Sequence, residues 1–512
     1  MTLSRGKQNL WCGIAAAVSA LFLWAAYPPH GETLAVLVAL VPMLVVARLA
    51  SPKRSALVFF LFGLMFWVLS LSWMPAIVKN NGPWPLVLLG WFALAAFCSL
   101  YFALFGFWTA WIWRWRERKC TIVMLSLVCI FSEALVWALL EYLRATLFTG
   151  FAWNFLGTAF ASMPSFATPA RFGGVYLVSS LVVLLNGVFA TLFLRVFAPV
   201  FGIGGDDPGR SRLVGRFVQI AETGLPLAFI LACLCVGNRM VRGETMGNAE
   251  PVHLRVALVQ RNAPCLFRPG RRENAYEAFG KLLDAVMAAK PDLVVLAESA
   301  MSEFGTVRSF RAQDVARGFL ARAGAKMLMA GGDDEVSNRT YNAVALYAPD
   351  GEAGAGPLAV YHKQHLVPFG EYIPLDKWIT PLQRLSPVGV SLHPGEPVLF
   401  TVDVGGRTLK VAPLICYEDT DPRLAAQAKR MGADLIVLVT NDSWFSNSAE
   451  AEAHAAQAVL RAIETGLPIV RVGNSGVTGV IRPDGSTTWL SDGAGKPLVD
   501  APGVMVETIA VK

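Results

Sequence analysis

The sequence predicts two parts: a bundle of membrane-spanning helices, followed by an α/β domain in which strands lie between helical layers. The chain is 54% hydrophobic and only 16% charged, whereas soluble proteins average about a quarter charged residues. Charged residues are scarce up to about Met240 and then appear at ordinary density. We therefore assign residues 1–240 to the membrane part and residues 251–512 to an extramembrane domain.

Long apolar runs predict the membrane helices, because about twenty mostly apolar residues are needed to cross a bilayer. The first run is not a signal peptide, since further spans follow it and no small-residue cleavage site ends it. The runs predict about seven helices, at 11–27, 33–50, 55–75, 84–113, 121–143, 174–198 and 222–238.

Lysine and arginine in the short loops predict the orientation. The N-terminal segment and every second loop between the predicted helices carry most of the positive charge. These residues are Arg5, Lys7, Lys53, Arg54, Arg114, Arg116, Arg118, Lys119, Arg210, Arg212 and Arg216. The positive-inside rule then places the N-terminus in the cytoplasm, and an odd number of spans places the later domain in the periplasm of a bacterium. The net charge of +7, spread among apolar segments, does not indicate nucleic-acid binding.

One polar stretch stands out in the membrane part. Glu141 and Arg144 are three residues apart, so they share a helix face, and Trp153 and Asn154 follow in the phrase 149–154. Charges near a membrane are kept when they are paired or functional. The stretch is therefore either a structural ion pair at a helix end or a place where a lipid headgroup docks.

Short β-rich runs alternate with helical ones in the later half, which is typical of an α/β domain. The predicted strands are 252–260, 293–297, 326–330, 342–347, 409–416, 435–440, 469–472 and 476–481. The predicted helices are 273–289, 309–324, 421–432 and 449–466.

Three chemically active residues stand at or near the ends of these runs. Glu298 closes an apolar strand, Cys416 ends another, and Lys363 precedes Glu371 by eight residues in a loop with Pro and Gly. Singly, each has an ordinary explanation: a helix cap, a core cysteine or a solvated lysine. Together they suit covalent acyl transfer, with Cys416 as nucleophile, Glu298 as base and Lys363 at the oxyanion.

Two alternatives concern the cysteine. His362 or His365, which flank the lysine, could pair with Cys416 in place of the carboxylate. A disulfide between Cys265 and Cys416 would silence the nucleophile, because these are the two cysteines of the polar half.

Glu298, Lys363 and Cys416, in this order and context, resemble the nitrilase or carbon–nitrogen hydrolase superfamily. Several phrases resemble the apolipoprotein N-acyltransferase family in particular, over nearly the whole chain. They are 149–154, 365–371, 416–418, 441–445, His454, 461–464 and 474–478. The resemblance implies an αββα sandwich for the extramembrane domain, seated on the bilayer.

The resemblance also implies a two-stage reaction. Cys416 takes an acyl chain from a phospholipid and passes it to the α-amino group of the diacylglyceryl-cysteine of an apolipoprotein, with Glu298 as general base and Lys363 as oxyanion stabiliser. Glu371 is then a supporting carboxylate, and Tyr417 and Glu418 flank the nucleophile. No metal and no organic cofactor are implied, and we expect a monomer in the bacterial inner membrane.

Apolar residues beside the catalytic loops are expected to contact lipid. Trp378 and Ile379 lie in the segment 372–392, which we interpret as a lid or lipid-facing arm, and Trp444 and Phe445 form a similar apolar tip. The ordinary alternative is packing inside the domain.

The sequence departs from the family pattern in two places. After Gln260 the family usually has a tryptophan, whose role would pass here to Phe267 or be absent. The family also usually ends with a further transmembrane helix, whereas this sequence stops at Lys512 without one, so either that helix was lost or the sequence is truncated. We expect the chemistry not to depend on that helix.

Two rival functions remain. A membrane-tethered amidase or nitrilase acting on small C–N substrates would use the same three residues without an acyl groove. A non-catalytic transporter or lipid-binding scaffold is disfavoured by the intact Glu298, Lys363 and Cys416.

Overall fold

A computed structural model gives the architecture as two compact units. The membrane unit comprises Met1–Pro75 and Pro85–Arg242, and the α/β unit comprises Ala76–Trp84 and Gly243–Lys512. The structure describes residues 5–80, 82–118, 123–197, 212–245, 250–264, 275–349, 356–374 and 391–512.

The described part of the membrane unit consists of helices joined by loops and 3₁₀ turns. Its helices are α1 (Arg5–Ala25), α2 (Val41–Leu49), α3 (Pro52–Ser70), α4 (Trp84–Arg118), α5 (Val123–Thr146), α6 (Pro164–Ala167), α7 (Ala170–Phe197) and α8 (Arg212–Thr245). Within the described ranges, six helical segments are long and apolar enough to cross a membrane. The chain therefore carries the features of a multi-pass membrane protein.

The predicted span at 33–50 is not one continuous helix. It consists of a 3₁₀ turn, Thr33–Leu37, and the nine-residue helix α2. Asn186 of α7 stabilises the break, because its side chain donates to the carbonyl of Val36 and accepts from the N–H of Leu40, at 3.0 and 2.9 Å. Pro42 then lies in the first turn of α2, where its missing N–H costs nothing. The number of membrane crossings, and hence the side reached by the α/β unit, stays a prediction.

A buried ion pair that no local sequence pattern indicates connects four of the membrane helices. Arg48 of α2 and Glu133 of α5 approach to 2.6 Å, and both are almost fully buried. Trp113 of α4 donates to Glu133 at 2.7 Å, and Arg48 donates to Thr191 of α7 at 2.8 Å. Removing one partner would leave the other charge buried and uncompensated, which is strongly destabilising.

The α/β unit contains two sheets and four flanking helices among its described residues. The strands are β1 (Val252–Gln260), β2 (Leu293–Leu296), β3 (Met327–Val336), β4 (Arg339–Tyr347), β5 (Ala359–His362), β6 (Phe400–Val404), β7 (Arg407–Ile415), β8 (Leu435–Thr440), β9 (Ile469–Gly473), β10 (Gly479–Ile481), β11 (Thr487–Trp489) and β12 (Gly503–Val511). The helices are α9 (Ala275–Met287), α10 (Phe310–Ala323), α11 (Pro422–Arg430) and α12 (Glu450–Thr465).

Parallel strands form the centre of each sheet. One sheet has the order β12-β1-β2-β3-β4-β5 and the other β11-β10-β9-β8-β7-β6. In the first, β1, β2 and β3 run parallel, with Leu296 paired to Ala330; in the second, β7, β8 and β9 do, with Ile415 paired to Val439. Residues that follow parallel strands leave a sheet at the same edge, which is where ligand sites of such sheets form.

Alternate residues of each central strand face two different cores. Leu254, Val256 and Leu258 of β1 pack between the two sheets, whereas Ala257 and Val259 pack under α9 and α10. Helix α12 contacts β10 and α11 beside the second sheet. Burial on both faces explains the continuous apolar runs of the central strands. The predicted αββα sandwich is confirmed.

Candidate active site

Cys416 directly follows β7 and opens a 3₁₀ turn, Cys416–Thr420. Its φ of +51° lies in the left-handed region, which is unfavourable for a residue with a side chain. Such strained positions cluster at active sites, where the surrounding structure holds them. Cys416 is a free cysteine, and its proposed disulfide partner, Cys265, lies outside the described residues.

The buried carboxylate of Glu418 holds this turn in place. It accepts a hydrogen bond from the N–H of Ile415 at 2.7 Å, and others from the N–H groups of Gln364 and His365 at 2.6 and 3.0 Å. The hydroxyl of Tyr361 adds a fourth donor at 2.8 Å. Glu418 thus joins the turn after β7 to the loop after β5, which carries Lys363.

Lys363 and Glu298 are both buried and share polar neighbours. The Lys363 Nζ donates to Glu371 Oε1 at 2.9 Å. The Nδ2 of Asn342 donates to Glu298 Oε1 and to Glu371 Oε1, at 2.7 Å each. Glu371 also accepts from the N–H of Val367 at 2.8 Å. The structure therefore brings the predicted base, the predicted cation and the supporting carboxylate into one network.

The protonation states follow from burial and charge. Burial raises the pKa of the Cys416 thiol well above its usual range, the charge of Glu298 raises it further, and Lys363 lowers it. Burial also raises the pKa of Glu298, while Lys363 opposes the shift. Burial alone would lower the pKa of Lys363, but Glu371 and its other anionic neighbours hold it above its usual value. The resting site thus pairs a neutral thiol with a charged lysine, and the thiol needs a base.

The two histidines of the catalytic loop have other contacts. His362 Nε2 lies 2.8 Å from Asp334, and the ring of His362 stacks on Tyr341. His365 Nδ1 lies 3.4 Å from Asp421. These contacts favour Glu298 over a histidine as the base for Cys416.

The predicted lipid-contacting residues are only partly described. Trp444 and Phe445 lie in the turn Asp442–Phe445 and are half-buried. The side chain of Asn80 donates to the carbonyls of Ser443 and Trp444 at 3.2 and 2.8 Å, which fixes this turn. Trp378, Ile379 and Phe267 lie outside the described residues.

Glu141 and Arg144 organise a loop within the membrane unit. Arg144 Nη1 donates to the carbonyls of Phe151 and Trp153, at 2.7 and 2.8 Å. Glu141 Oε1 accepts from the N–H of Leu156 at 2.8 Å. In the part of the chain that the structure describes, both side chains hydrogen-bond to the backbone of this loop. This arrangement favours a structural role for both residues.

Two residues that contact the predicted base were not predicted from the sequence. Asn342, in β4, bridges Glu298 and Glu371. Gly331, in β3, allows a close approach, because a Cβ there would lie 2.5 Å from the Cα of Glu298. The sequence offers no signal for Asn342, and the pair Gly331-Gly332 inside an apolar strand is the one hint of close backbone packing.

Both halves of the chain match known families. Residues 19–188 match the apolipoprotein N-acyltransferase N-terminal domain, and residues 255–499 match the carbon–nitrogen hydrolase family. A solved amidase from Nesterenkonia sp. overlaps 51% of this chain and 92% of its own, at 20% identity and a TM-score of 0.36. That overlap is too weak to bear on function.

Full-length relatives give the same assignment. The apolipoprotein N-acyltransferase of Nitrosomonas europaea is 30% identical over 482 residues, which cover 92% of this chain and 85% of that protein. The apolipoprotein N-acyltransferase of Geobacter metallireducens is 28% identical over 483 residues, with the same coverage of 92% and 85%. Together with a cysteine, a glutamate and a lysine gathered at the strand ends of a two-sheet domain, these matches show that the chain belongs to the apolipoprotein N-acyltransferase family.

Proposed function

We propose that the chain transfers an acyl chain from a phospholipid to the α-amino group of the diacylglyceryl-cysteine of apolipoproteins, through a thioester on Cys416. One observation carries this proposal: Cys416, whose backbone lies in the left-handed region, is beside a buried carboxylate, Glu298, and a buried lysine, Lys363. A nucleophile, a base and an oxyanion cation are the parts that acyl transfer needs.

In the first half-reaction, Glu298 takes the proton of the Cys416 thiol and the sulfur attacks the ester carbonyl of the phospholipid. The ammonium group of Lys363 stabilises the oxyanion that forms. The C–O bond then breaks, Glu298 returns the proton to the departing oxygen, and a lysophospholipid leaves. The acyl chain remains on Cys416 as a thioester.

In the second half-reaction, the α-amino group of the acceptor attacks the thioester carbonyl. Glu298 takes a proton from the attacking nitrogen, and Lys363 again stabilises the oxyanion. The C–S bond breaks, Cys416 recovers its proton, and an N-acylated lipoprotein leaves. Neither step calls for a metal or an organic cofactor.

The proposed location of the enzyme rests on its substrates and on the positive charges of the short loops. We place the enzyme in the bacterial inner membrane as a monomer, with residues 1–240 spanning the bilayer and residues 251–512 in the periplasm. The donor and acceptor are both anchored in lipid, so the reaction takes place at a membrane surface. Trp378, Ile379, Trp444 and Phe445 are then the residues we propose to contact lipid.

The test uses the full chain in detergent or nanodiscs, a phospholipid with a labelled acyl chain and a synthetic diacylated lipopeptide. We expect N-acylated lipopeptide and lysophospholipid in equal amounts, measured by mass spectrometry. Labelled free fatty acid with no N-acylated lipopeptide would contradict the proposal and favour the hydrolase alternative.

Glu418→Gln is expected to lower the transfer rate by about 10- to 100-fold. A carboxamide has one accepting oxygen, and its NH₂ group would face the N–H donors that Glu418 now satisfies, so the turn and the Lys363 loop would shift. The transfer rate and the melting temperature are measured together. Asp434→Asn is the matched control, because Asp434 also accepts a backbone N–H, from Lys410 at 2.7 Å, but in a hydrogen bond that is exposed to solvent. An unchanged rate in Glu418→Gln would refute the positioning role.

A further inference from the structure

A buried polar network lies beside Cys416 on the side of β8. Ile415 of β7 is paired with Val439 of β8, so Cys416, which follows β7, lies beside Thr440, the last residue of β8. Thr440 is fully buried. Its hydroxyl donates to Asp442 Oδ1 at 2.8 Å. The mechanism above uses neither Thr440 nor Asp442.

Two cations hold the carboxylate of Asp442. His454 Nδ1 lies 3.0 Å from Asp442 Oδ1, and His454 Nε2 lies 2.9 Å from Asp419 Oδ1. Ionised carboxylates only accept hydrogen bonds, so both ring nitrogens donate and the imidazole is a cation. Arg471 Nη2 lies 3.3 Å from Asp442 Oδ2. Although burial opposes it, Arg471 and His454 hold the pKa of Asp442 well below its usual range.

The same network contains ligand types that a metal ion could use, at Asp442, Glu450 and His454. The cations already present, His454 and Arg471, exclude a metal ion at this place. Both nitrogens of His454 face carboxylates, which leaves no ring lone pair for a metal, and Arg471 faces the second oxygen of Asp442. Burial and the charge of Asp442 raise the pKa of Glu450 to about 8, so this carboxyl is neutral near neutral pH. The network therefore serves to fix Asp442 in its ionised form.

Gly476 packs closely against the carboxylate of Asp442. A Cβ on Gly476 would lie 1.8 Å from Asp442 Oδ2, so the backbone of that loop already touches the carboxylate. The Thr440 hydroxyl, by contrast, needs only a rotation about one bond to change its acceptor. The charged groups that act most strongly on the Cys416 sulfur are Glu298, Lys363 and Asp442, and a hydrogen bond from the Thr440 hydroxyl to the sulfur, made in place of the one to Asp442, would lower the pKa of the thiol.

We propose that Thr440 is a further catalytic residue, whose hydroxyl turns from Asp442 Oδ1 to the Cys416 sulfur when the thiolate forms. The proposal rests on Cys416 being the nucleophile of the proposed function. The proton of the S–H bond goes to Glu298, the O–H bond of Thr440 stays intact, and only its hydrogen-bond acceptor changes. The hydroxyl returns to Asp442 once the thioester has removed the charge from sulfur.

The test is the pH dependence of Cys416 alkylation by iodoacetamide, followed by peptide mass spectrometry on the full chain without lipid. Thr440→Val removes the hydroxyl and keeps the branched shape. We expect it to lower the alkylation rate at a given pH by about tenfold and to move the titration of the Cys416 thiol up by about one pH unit. This is the effect expected when a thiolate loses one hydrogen-bond donor. Thr440→Ser should restore the wild-type curve. Thr440→Ala repeats the test if the valine variant does not fold.

Thr465→Val is the matched control, because Thr465 is also buried and its hydroxyl donates to the Arg461 carbonyl at 2.7 Å. Its alkylation curve should coincide with that of the wild type. An unchanged curve in a folded Thr440→Val protein would overturn the role of Thr440, even if lipid transfer were lost, and would leave the proposed function standing. If the alkylation curve of Thr440→Val moved up as expected but the wild-type protein made no N-acylated lipopeptide, the proposed function alone would be rejected.

Discussion

Replacing Cys416 by alanine is expected to lower N-acyl transfer to lipopeptide by about 10⁴-fold or more, because both half-reactions pass through the sulfur. Cys416→Ser should be nearly as inactive. A serine hydroxyl is a far weaker acid than a thiol, and Glu298 is too weak a base to deprotonate it. The measurement is the initial rate of N-acylated lipopeptide formation at saturating phospholipid.

Cys235→Ala provides the control for this result. Cys235 is an exposed free cysteine of α8 and belongs to the membrane unit. We expect this variant to retain the full rate. A Cys416→Ala protein that kept more than about a hundredth of the wild-type rate would show that the acyl chain does not pass through this residue, because loss of a covalent nucleophile normally costs far more.

Glu298→Gln is expected to lower the same rate by about 10²- to 10⁴-fold, the usual contribution of a general base. The change should leave the fold intact, since a glutamine oxygen can still accept the hydrogen bond that Asn342 now donates at 2.7 Å. What it removes is the group that takes the thiol proton.

The pH profile gives Glu298→Gln a second readout. Burial raises the pKa of Glu298, so the carboxyl stays protonated, and inactive as a base, up to a higher pH than an ordinary glutamate. The wild-type rate should therefore fall as the pH drops through this raised pKa, and the variant should lose that limb. Glu303→Gln, at a glutamate that pairs with Arg261 at 3.1 Å, is the control. A variant that kept the wild-type limb would assign it to another group.

The central strands could be predicted from the sequence because burial on both faces gives them long apolar runs. All eight predicted strands are present, and the four predicted helices agree with the structure within a few residues. The four strands that were missed, β5, β6, β11 and β12, form the outer edges of the two sheets. β6, for example, alternates buried and exposed residues. An edge strand of this kind is not buried on both faces, so it lacks the continuous apolar run that identifies the central strands.

The residues of the candidate site also fall into those that the sequence indicates and those that it does not. Cys416, Glu298 and Lys363 could be proposed as site residues because each carries chemistry of its own and stands beside a strand end. Asn342 and Thr440 could not, because their roles depend on partners that approach from other segments of the chain. Within the membrane unit, the break in the span at 33–50 depends on Asn186, a residue far along the chain. Contacts of this kind leave no local pattern.

The most direct test of the account is to mix the full-length protein with a labelled phospholipid, without acceptor, and map the adduct by peptide mass spectrometry. We expect one acyl chain on Cys416, released by neutral hydroxylamine as a thioester is, and lost when a diacylated lipopeptide is added. An adduct that resists hydroxylamine, that lies on another residue or that persists in Cys416→Ala would contradict the assignment of Cys416 as the acyl carrier.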